Sequence, residues 1–177
     1  MSLPESRSDD NSLAIRMLDP DEETTYSRRN SLRLSGFDYS AKRIYFVTIV
    51  VLGRRPLFYK DALATATVDC LLSLREKLRF NLYCYCLMPD HLHALFGAGE
   101  SGKSLGEICG AFKSLSTRVY WRWHKGRLWQ RQFFDHIVRN EKDFVETMEY
   151  IKQNPVRRGL VSSASEWPYT GSVNEYV

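Results

Sequence analysis

Residues 82–96 constrain this chain more than any other stretch: strand formers fill it almost without a break, and Pro89-Asp90 interrupts it once. Two apolar segments, 82–88 and 91–96, joined by so short a turn read as an antiparallel hairpin, which commits the domain to a sheet. In the second segment Leu92, Ala94 and Phe96 alternate with His91, His93 and Leu95. A period of two sends both histidines to one face, where two imidazoles can meet one ion. Such a pair alone is weak evidence, since polar strand faces and satisfied core histidines produce it more often. Its meaning depends on what else the fold brings to that face.

The flanking sequence supplies the remaining layers. Residues 44–52 form a nearly unbroken β-branched and aromatic run, expected as a central strand covered on both faces until Gly53 and Pro56 break it. In 62–78 Val68, Leu71, Leu72 and Leu78 make a helical stripe. The clearest helix is expected over 104–123, with Leu105, Ile108, Cys109, Phe112, Val119 and Trp123 packed and Lys113, Arg118 and Arg122 elsewhere on the wheel. A short edge strand is expected within 129–138. A last helix follows over 142–154, its core stripe Phe144, Met148 and Ile151, and Pro155 should end it because the residue before proline disfavours helical dihedrals. This order of elements is α+β, with helices against an antiparallel sheet. Residues 1–33, rich in Ser, Asp, Glu and Arg without periodicity, are expected to form a disordered or loosely attached arm, leaving 34–177 as one domain.

Charge narrows the partner. The net charge is +4, but residues 1–24 hold seven acidic side chains and two arginines, so the rest carries 23 basic against 14 acidic groups, a net of +9. Between 101 and 140 eight basic residues (Lys103, Lys113, Arg118, Arg122, Lys125, Arg127, Arg131, Arg139) face only Glu107 and Asp135. A polyanion is the natural partner. Tyr120-Trp121-Arg122-Trp123-His124-Lys125 interleaves rings and cations, as a platform for stacked bases would, with Trp123 expected in the core. His124 and His136 lack a partner at ligand spacing and are expected at the surface or against nucleic acid. No apolar run reaches the roughly 18 residues of a membrane span and no signal-peptide core is present, so no membrane partner and a cytoplasmic location are expected.

Two motifs compete for attention. Gly97-Ala98-Gly99-Glu100-Ser101-Gly102-Lys103-Ser104 matches the phosphate-cradling GxxxxGK[ST] loop in full. Such a loop belongs to a parallel sheet with a later strand ending in a magnesium-binding Asp, which the following sequence lacks, so a glycine turn with Ser104 capping a helix is the better reading. Cys84 and Cys86 beside His91 and His93 raise a Cys2His2 zinc site, but the spacing is not a usual one. Cys70, Cys84, Cys86 and Cys109 instead read as buried thiols of a reducing compartment.

The company that His91 and His93 keep lies near the end of the chain. Tyr150 and Asn154, four apart, share one helix face beside the core stripe, at the rim. Two imidazoles and a carboxamide could hold a divalent ion beside a phenol, which suits cleavage of a phosphodiester by tyrosine. Mixed nitrogen and oxygen ligation tolerates Mn²⁺ well and Mg²⁺ adequately. A free phenol has a pKa of about 10, so positive charge nearby must help, with Lys152, Arg157 and the ion as candidates.

These segments together resemble a known family. Arg28-Arg29-Asn30-Ser31-Leu32-Arg33-Leu34, Tyr45-Phe46-Val47-Thr48, Tyr85-Cys86-Leu87-Met88-Pro89-Asp90-His91-Leu92-His93, Phe112-Lys113-Ser114, Trp129-Gln130, Tyr150-Ile151-Lys152-Gln153-Asn154-Pro155-Val156 and Trp167-Pro168-Tyr169 occur in the order seen in single-tyrosine HUH transposases of insertion sequences. The likeness is greatest to the REP-associated tyrosine transposases and spans about residues 28–170. It implies a ferredoxin-like core, His91 and His93 as the metal pair, Asn154 as third ligand and Tyr150 as nucleophile. The implied substrate is single-stranded DNA folded into imperfect hairpins, cut to leave a 5′-phosphotyrosine and a free 3′-OH. Lys103, Lys113, Arg118, Arg122, Lys125, Arg127, Arg131, Lys152 and Arg157 are the expected DNA contacts, and members occur as monomers and homodimers. Many members carry Asn where this chain has Asp90, and the acidic arm before Arg28 has no recognised counterpart. A non-cleaving hairpin-binding relative is the competing class.

Overall fold

Alternation along the first strand creates two unlike faces. In β1 (Ile44–Val50) Tyr45, Val47 and Ile49 are at most 2% exposed, while Ile44, Phe46 and Thr48 on the other side are only half-covered. The computed structural model describes residues 43–59 and 62–175, so the expected arm at 1–33 lies outside the described residues. After β1 come a 3-10 turn (Leu52–Arg54), α1 (Ala62–Leu78), β2 (Asn81–Leu87), β3 (His91–Gly97), α2 (Leu105–Tyr120), β4 (Phe134–Val138), α3 (Glu141–Arg157), a second 3-10 turn (Ala164–Glu166) and β5 (Thr170–Ser172).

The strands form one sheet in the order β4-β1-β3-β2-β5, and every neighbouring pair is antiparallel. β1 and β2 run the same way, joined by α1, with β3 inserted antiparallel between them. This is the split βαβ arrangement of a ferredoxin-like fold, as the family resemblance implied, with β5 added beside β2. β2 and β3 are buried almost throughout because helices cover both faces. Phe80, just after α1, meets Phe96 edge-on on the face of Tyr45 and Val47, and α1 packs against α2 and β2. On the opposite face α3 lies across β2 and β3.

Local sequence explains where the elements stop. Ser104 caps α2 by accepting from the Glu107 amide at 3.3 Å, while the Glu107 carboxylate accepts from the Ser104 amide at 2.9 Å. The carboxylate thus occupies the helix end that a phosphate would need. With the sheet wholly antiparallel, the nucleotide-loop alternative has no scaffold. Gly99 is required for packing: its φ is +56°, and a Cβ there would lie 2.5 Å from the Arg79 carbonyl.

Three expectations need correction. α2 ends at Tyr120, three residues early, so Trp123 falls in the following turn and is 51% exposed instead of buried. Tyr120 stacks on His124 at 4.6 Å and the Trp121 indole donates to the Gly126 carbonyl at 2.7 Å, closing that turn on itself. α3 runs through Pro155 to Arg157. A proline there removes only the amide that would have reached Ile151, while the Arg158 and Leu160 amides still bond to the carbonyls of Asn154 and Pro155. Asn154 is therefore fully helical, and at 4% exposure it lies beneath the rim rather than on it. Finally, β1 stops at Val50 and is fully covered on one face only, because the other face holds the cluster described next.

Candidate active site

The half-covered face of β1 is where three elements meet. Register pairs Thr48 with His93 and Val50 with His91, so Phe46, Thr48, His91 and His93 all point to the side on which α3 lies. From α3, the Tyr150 ring stands 5.7 Å from the His93 ring and 5.9 Å from Phe46, centroid to centroid. Phe46 also packs on His93 at 5.2 Å, forming an apolar wall behind the imidazole and the phenol. Arg157, two turns along α3, holds its guanidinium carbon 4.8 Å above the Tyr150 ring. All of these groups come from one chain.

Each imidazole is held by its inner nitrogen. His91 Nδ1 donates to Asp90 Oδ1 at 2.6 Å, and His93 Nδ1 shares a hydrogen bond with Thr48 Oγ1 at 2.9 Å. The two Nε2 atoms are thereby turned toward each other, 3.0 Å apart, and both rings are 3% exposed. Burial holds His93 neutral, its pKa well below the ordinary value, and the charge of Arg158, with that of a protonated His91, would push the same way. Burial alone would raise the Asp90 carboxyl, but the His91 hydrogen bond and Arg54 at 3.5 Å, with any positive charge on His91, outweigh it and lower its pKa.

A divalent cation fits this donor set. Two convergent imidazole nitrogens, each with its other nitrogen anchored to an oxygen, are the usual preparation of histidine for a metal. Asn154 adds a second sign: its Oδ1 is buried with no hydrogen-bond partner, a state that an ion would relieve. Among the described residues no group of three or more His, Cys, Asp or Glu is placed to hold a metal, which removes the Cys2His2 zinc alternative. Cys86 accepts from Thr170 at 3.1 Å and contacts Met88, and burial pushes its thiol up to about 12.

The basic residues divide by location. Lys125 and Arg127 are exposed in the turn after α2, with Trp121 and Trp123. Arg55 ties this turn to the site end of β1 through the Tyr120 hydroxyl and the Arg127 carbonyl, both at 3.4 Å. Arg118 and Arg122 are exposed near α1, close enough for their charges to oppose the burial that raises the Cys70 pKa. Arg131 is exposed before β4, Lys103 is paired with Glu107 at 3.2 Å, and Lys152 is half-buried toward Cys84. Lys113 is differently engaged: its ammonium donates to the carbonyls of Gln130, Arg131 and Gln132 at 2.8–3.2 Å, bracketing the loop before β4. His136 lies 3.4 Å from the Asp143 carboxylate. Thr48, Asp90 and Arg54 were not anticipated as site residues; the period of two that puts Thr48 on the face of Phe46 was a usable signal, whereas the side-chain directions of Asp90 and Arg54 depend on two turns meeting. Among the described residues no helix is long and apolar enough to cross a membrane.

Known proteins share this framework. A Haemophilus influenzae protein assigned as a REP-associated tyrosine transposase is 26% identical over 144 residues, covering 75% of this chain and 81% of its own length. The REP-associated tyrosine transposase of Escherichia coli is 25% identical over 100 residues, covering 56% and 59%. The solved structure of a REP-associated tyrosine transposase bound to a REP hairpin superposes with a TM-score of 0.65 at 22% identity, over 78% of this chain and 82% of that one, a likeness of fold. The family profile of IS200-like transposases matches residues 40–154, from before β1 to the buried carboxamide of α3, and the chain belongs to that family.

Proposed function

We propose that this protein nicks and rejoins single-stranded DNA that carries a hairpin, with Tyr150 as nucleophile and His91, His93 and Asn154 as ligands of Mg²⁺ or Mn²⁺. The observation that carries the reading is the convergence, within one chain, of the Tyr150 ring on the paired imidazoles, 5.7 Å from His93. A bound divalent cation would draw charge from the non-bridging oxygens of the scissile phosphate. The chain's own groups do the rest. Phe46 and the buried strand behind it exclude water from one side of the phenol, and Arg157 supplies positive charge above the ring. The Tyr150 oxygen loses its proton and attacks phosphorus in line, the bond to the 3′-oxygen breaks, and that oxygen takes up a proton. The products are a 5′-phosphotyrosine and a free 3′-OH. Because the ester retains the energy of the broken bond, a 3′-OH can reverse the step without ATP.

A solved relative is bound to a REP hairpin, which supports a short palindromic repeat as the substrate class here. The exposed turn with Trp121, Trp123, Arg122, Lys125 and Arg127 is suited to unpaired nucleotides, through stacking and phosphate contact. Arg118, Arg131, Lys103 and Lys152 would extend the positive track, with Lys113 acting behind it as a loop bracket. The approach of Tyr150 to His93 within a single chain supports an active site assembled in cis, in a monomer or in each subunit of a homodimer.

The decisive experiment mixes the protein and Mn²⁺ with end-labelled single-stranded hairpin oligonucleotides and looks for a covalent adduct. Tyr150→Phe is expected to abolish the adduct and keep binding. An adduct that survives in Tyr150→Phe overturns the nucleophile, and tight binding without any adduct by the wild type supports a hairpin-holding protein instead.

A further inference from the structure

We infer that Asp90, braced by Arg54, is a positioning residue for the metal centre: it fixes His91 with its proton on Nδ1, so that the Nε2 lone pair is always directed at the cation. The inference rests on the proposed metal site. Its basis is an asymmetry between the two histidines. Asp90 as a carboxylate only accepts, so its 2.6 Å contact admits one tautomer of His91. Thr48 both donates and accepts, so its 2.9 Å contact with His93 Nδ1 admits either. The 3.0 Å separation of the Nε2 atoms fits a proton on His93 Nε2 donated to the His91 lone pair, with the Thr48 hydroxyl donating to His93 Nδ1. For the His93 Nε2 lone pair to face a cation as well, the single ring proton would have to pass from Nε2 to Nδ1, where it would be donated to Thr48. His91 does not change. One imidazole is thus a fixed ligand and the other a switchable one.

Arg54 belongs to this device for two reasons. Its guanidinium lies 3.5 Å from Asp90 Oδ2, the oxygen that His91 does not use. Its backbone has φ of 48°, a left-handed conformation unusual for a residue with a side chain. The turn that imposes it is tied to the Asp90 turn by the Val51 amide on the Asp90 carbonyl at 2.8 Å and the Phe58 amide on the Pro89 carbonyl at 2.9 Å. Backbone strain retained where a side chain meets a ligand's partner points to positioning. The unusual conformation aims Arg54 at the carboxylate, and the two backbone bonds keep both turns from drifting apart.

The test titrates Mn²⁺ into the full chain by calorimetry without DNA, and measures the metal-free melting point of every variant. Asp90→Ala is expected to weaken Mn²⁺ binding by about 10–100-fold while leaving the metal-free melting point near that of the wild type. Asp90→Asn keeps an oxygen in place of Oδ1 and should recover part of that loss. Arg54→Gln should weaken binding less than Asp90→Ala, and should add nothing once Asp90 is gone, because it acts through Asp90. Affinity of Asp90→Ala within about twofold of the wild type overturns the positioning role while leaving the metal site standing. No recovery in Asp90→Asn overturns the hydrogen bond as its cause, and an undiminished Arg54→Gln effect without Asp90 removes Arg54 from the device. A wild type that takes up no Mn²⁺ overturns the metal site itself, and this inference with it.

Discussion

In the proposed site, Asn154 would trade stability for metal binding. Its buried Oδ1 has no partner, and a buried unsatisfied acceptor costs about 1–3 kcal/mol. Asn154→Leu should therefore make the metal-free protein more stable, by about 1 kcal/mol in denaturant titration, while reducing Mn²⁺ affinity. A variant that is less stable without metal and binds Mn²⁺ normally would place the carboxamide outside the site. The cysteines make the opposite case, of groups that burial keeps protonated. Burial pushes Cys84 up to about 11 and Cys86 up to about 12, so both stay protonated in the fold at pH values where an unfolded thiol ionises. Above the ordinary thiol range the native state holds more protons than the unfolded one, so this contribution to stability is complete below about pH 9 and is lost as pH rises toward 11–12. Thiol reagents at pH 8 should accordingly label the native protein only as fast as it opens; prompt labelling of Cys84 or Cys86 contradicts their burial.

The element that decides the site is α3, because it carries Tyr150, Asn154 and Arg157 together. Asn140 caps it by accepting from the Asp143 amide at 2.9 Å, and Asp143 accepts from the Arg139 amide at 3.0 Å. Asn140→Ala should cost about 1 kcal/mol in thermal or chemical unfolding, and loosening of the helix start should lower adduct formation more than DNA affinity. Lys113 has the same standing for the loop before β4. Replacing it by Met leaves three carbonyls without their ammonium, and should cost about 1–3 kcal/mol of stability. A substitution that lowers DNA affinity but not stability would instead make Lys113 a direct contact. At this scale the sequence was readable where a period is long and undisturbed, as in α2 and in the face shared by His91 and His93. It was unreadable at ends. Trp123 continues the wheel of α2 on paper, yet the closed turn around Gly126 ends the helix at Tyr120. Pro155 looks like a stop, yet at the last turn it costs little. β5 is three residues long and shows no period at all.

For the molecule as a whole, charge and fold divide the work. The excess of basic groups after residue 24 predicts DNA affinity that falls steeply with salt, with a log-log slope of about −0.7 per phosphate contacted on single strands. Combined charge removal at Arg122, Lys125 and Arg127 should flatten that slope by about 2 if all three meet phosphate, with little change in stability, since each is exposed. An unchanged slope places the strand elsewhere. Sequence by itself determined the α+β class, the hairpin, the common face of the two histidines and the helical spacing of Tyr150 and Asn154, because each follows from backbone periods acting over a few residues. Which strand lies beside which was decided only in three dimensions. The β4-β1-β3-β2-β5 order sets Thr48 opposite His93, brings the Arg54 turn to Asp90 and lays α3 across the imidazoles. Those contacts join residues far apart along the chain, and no local pattern encodes them; they exist because burying two unlike faces of one sheet leaves few ways to stack three helices.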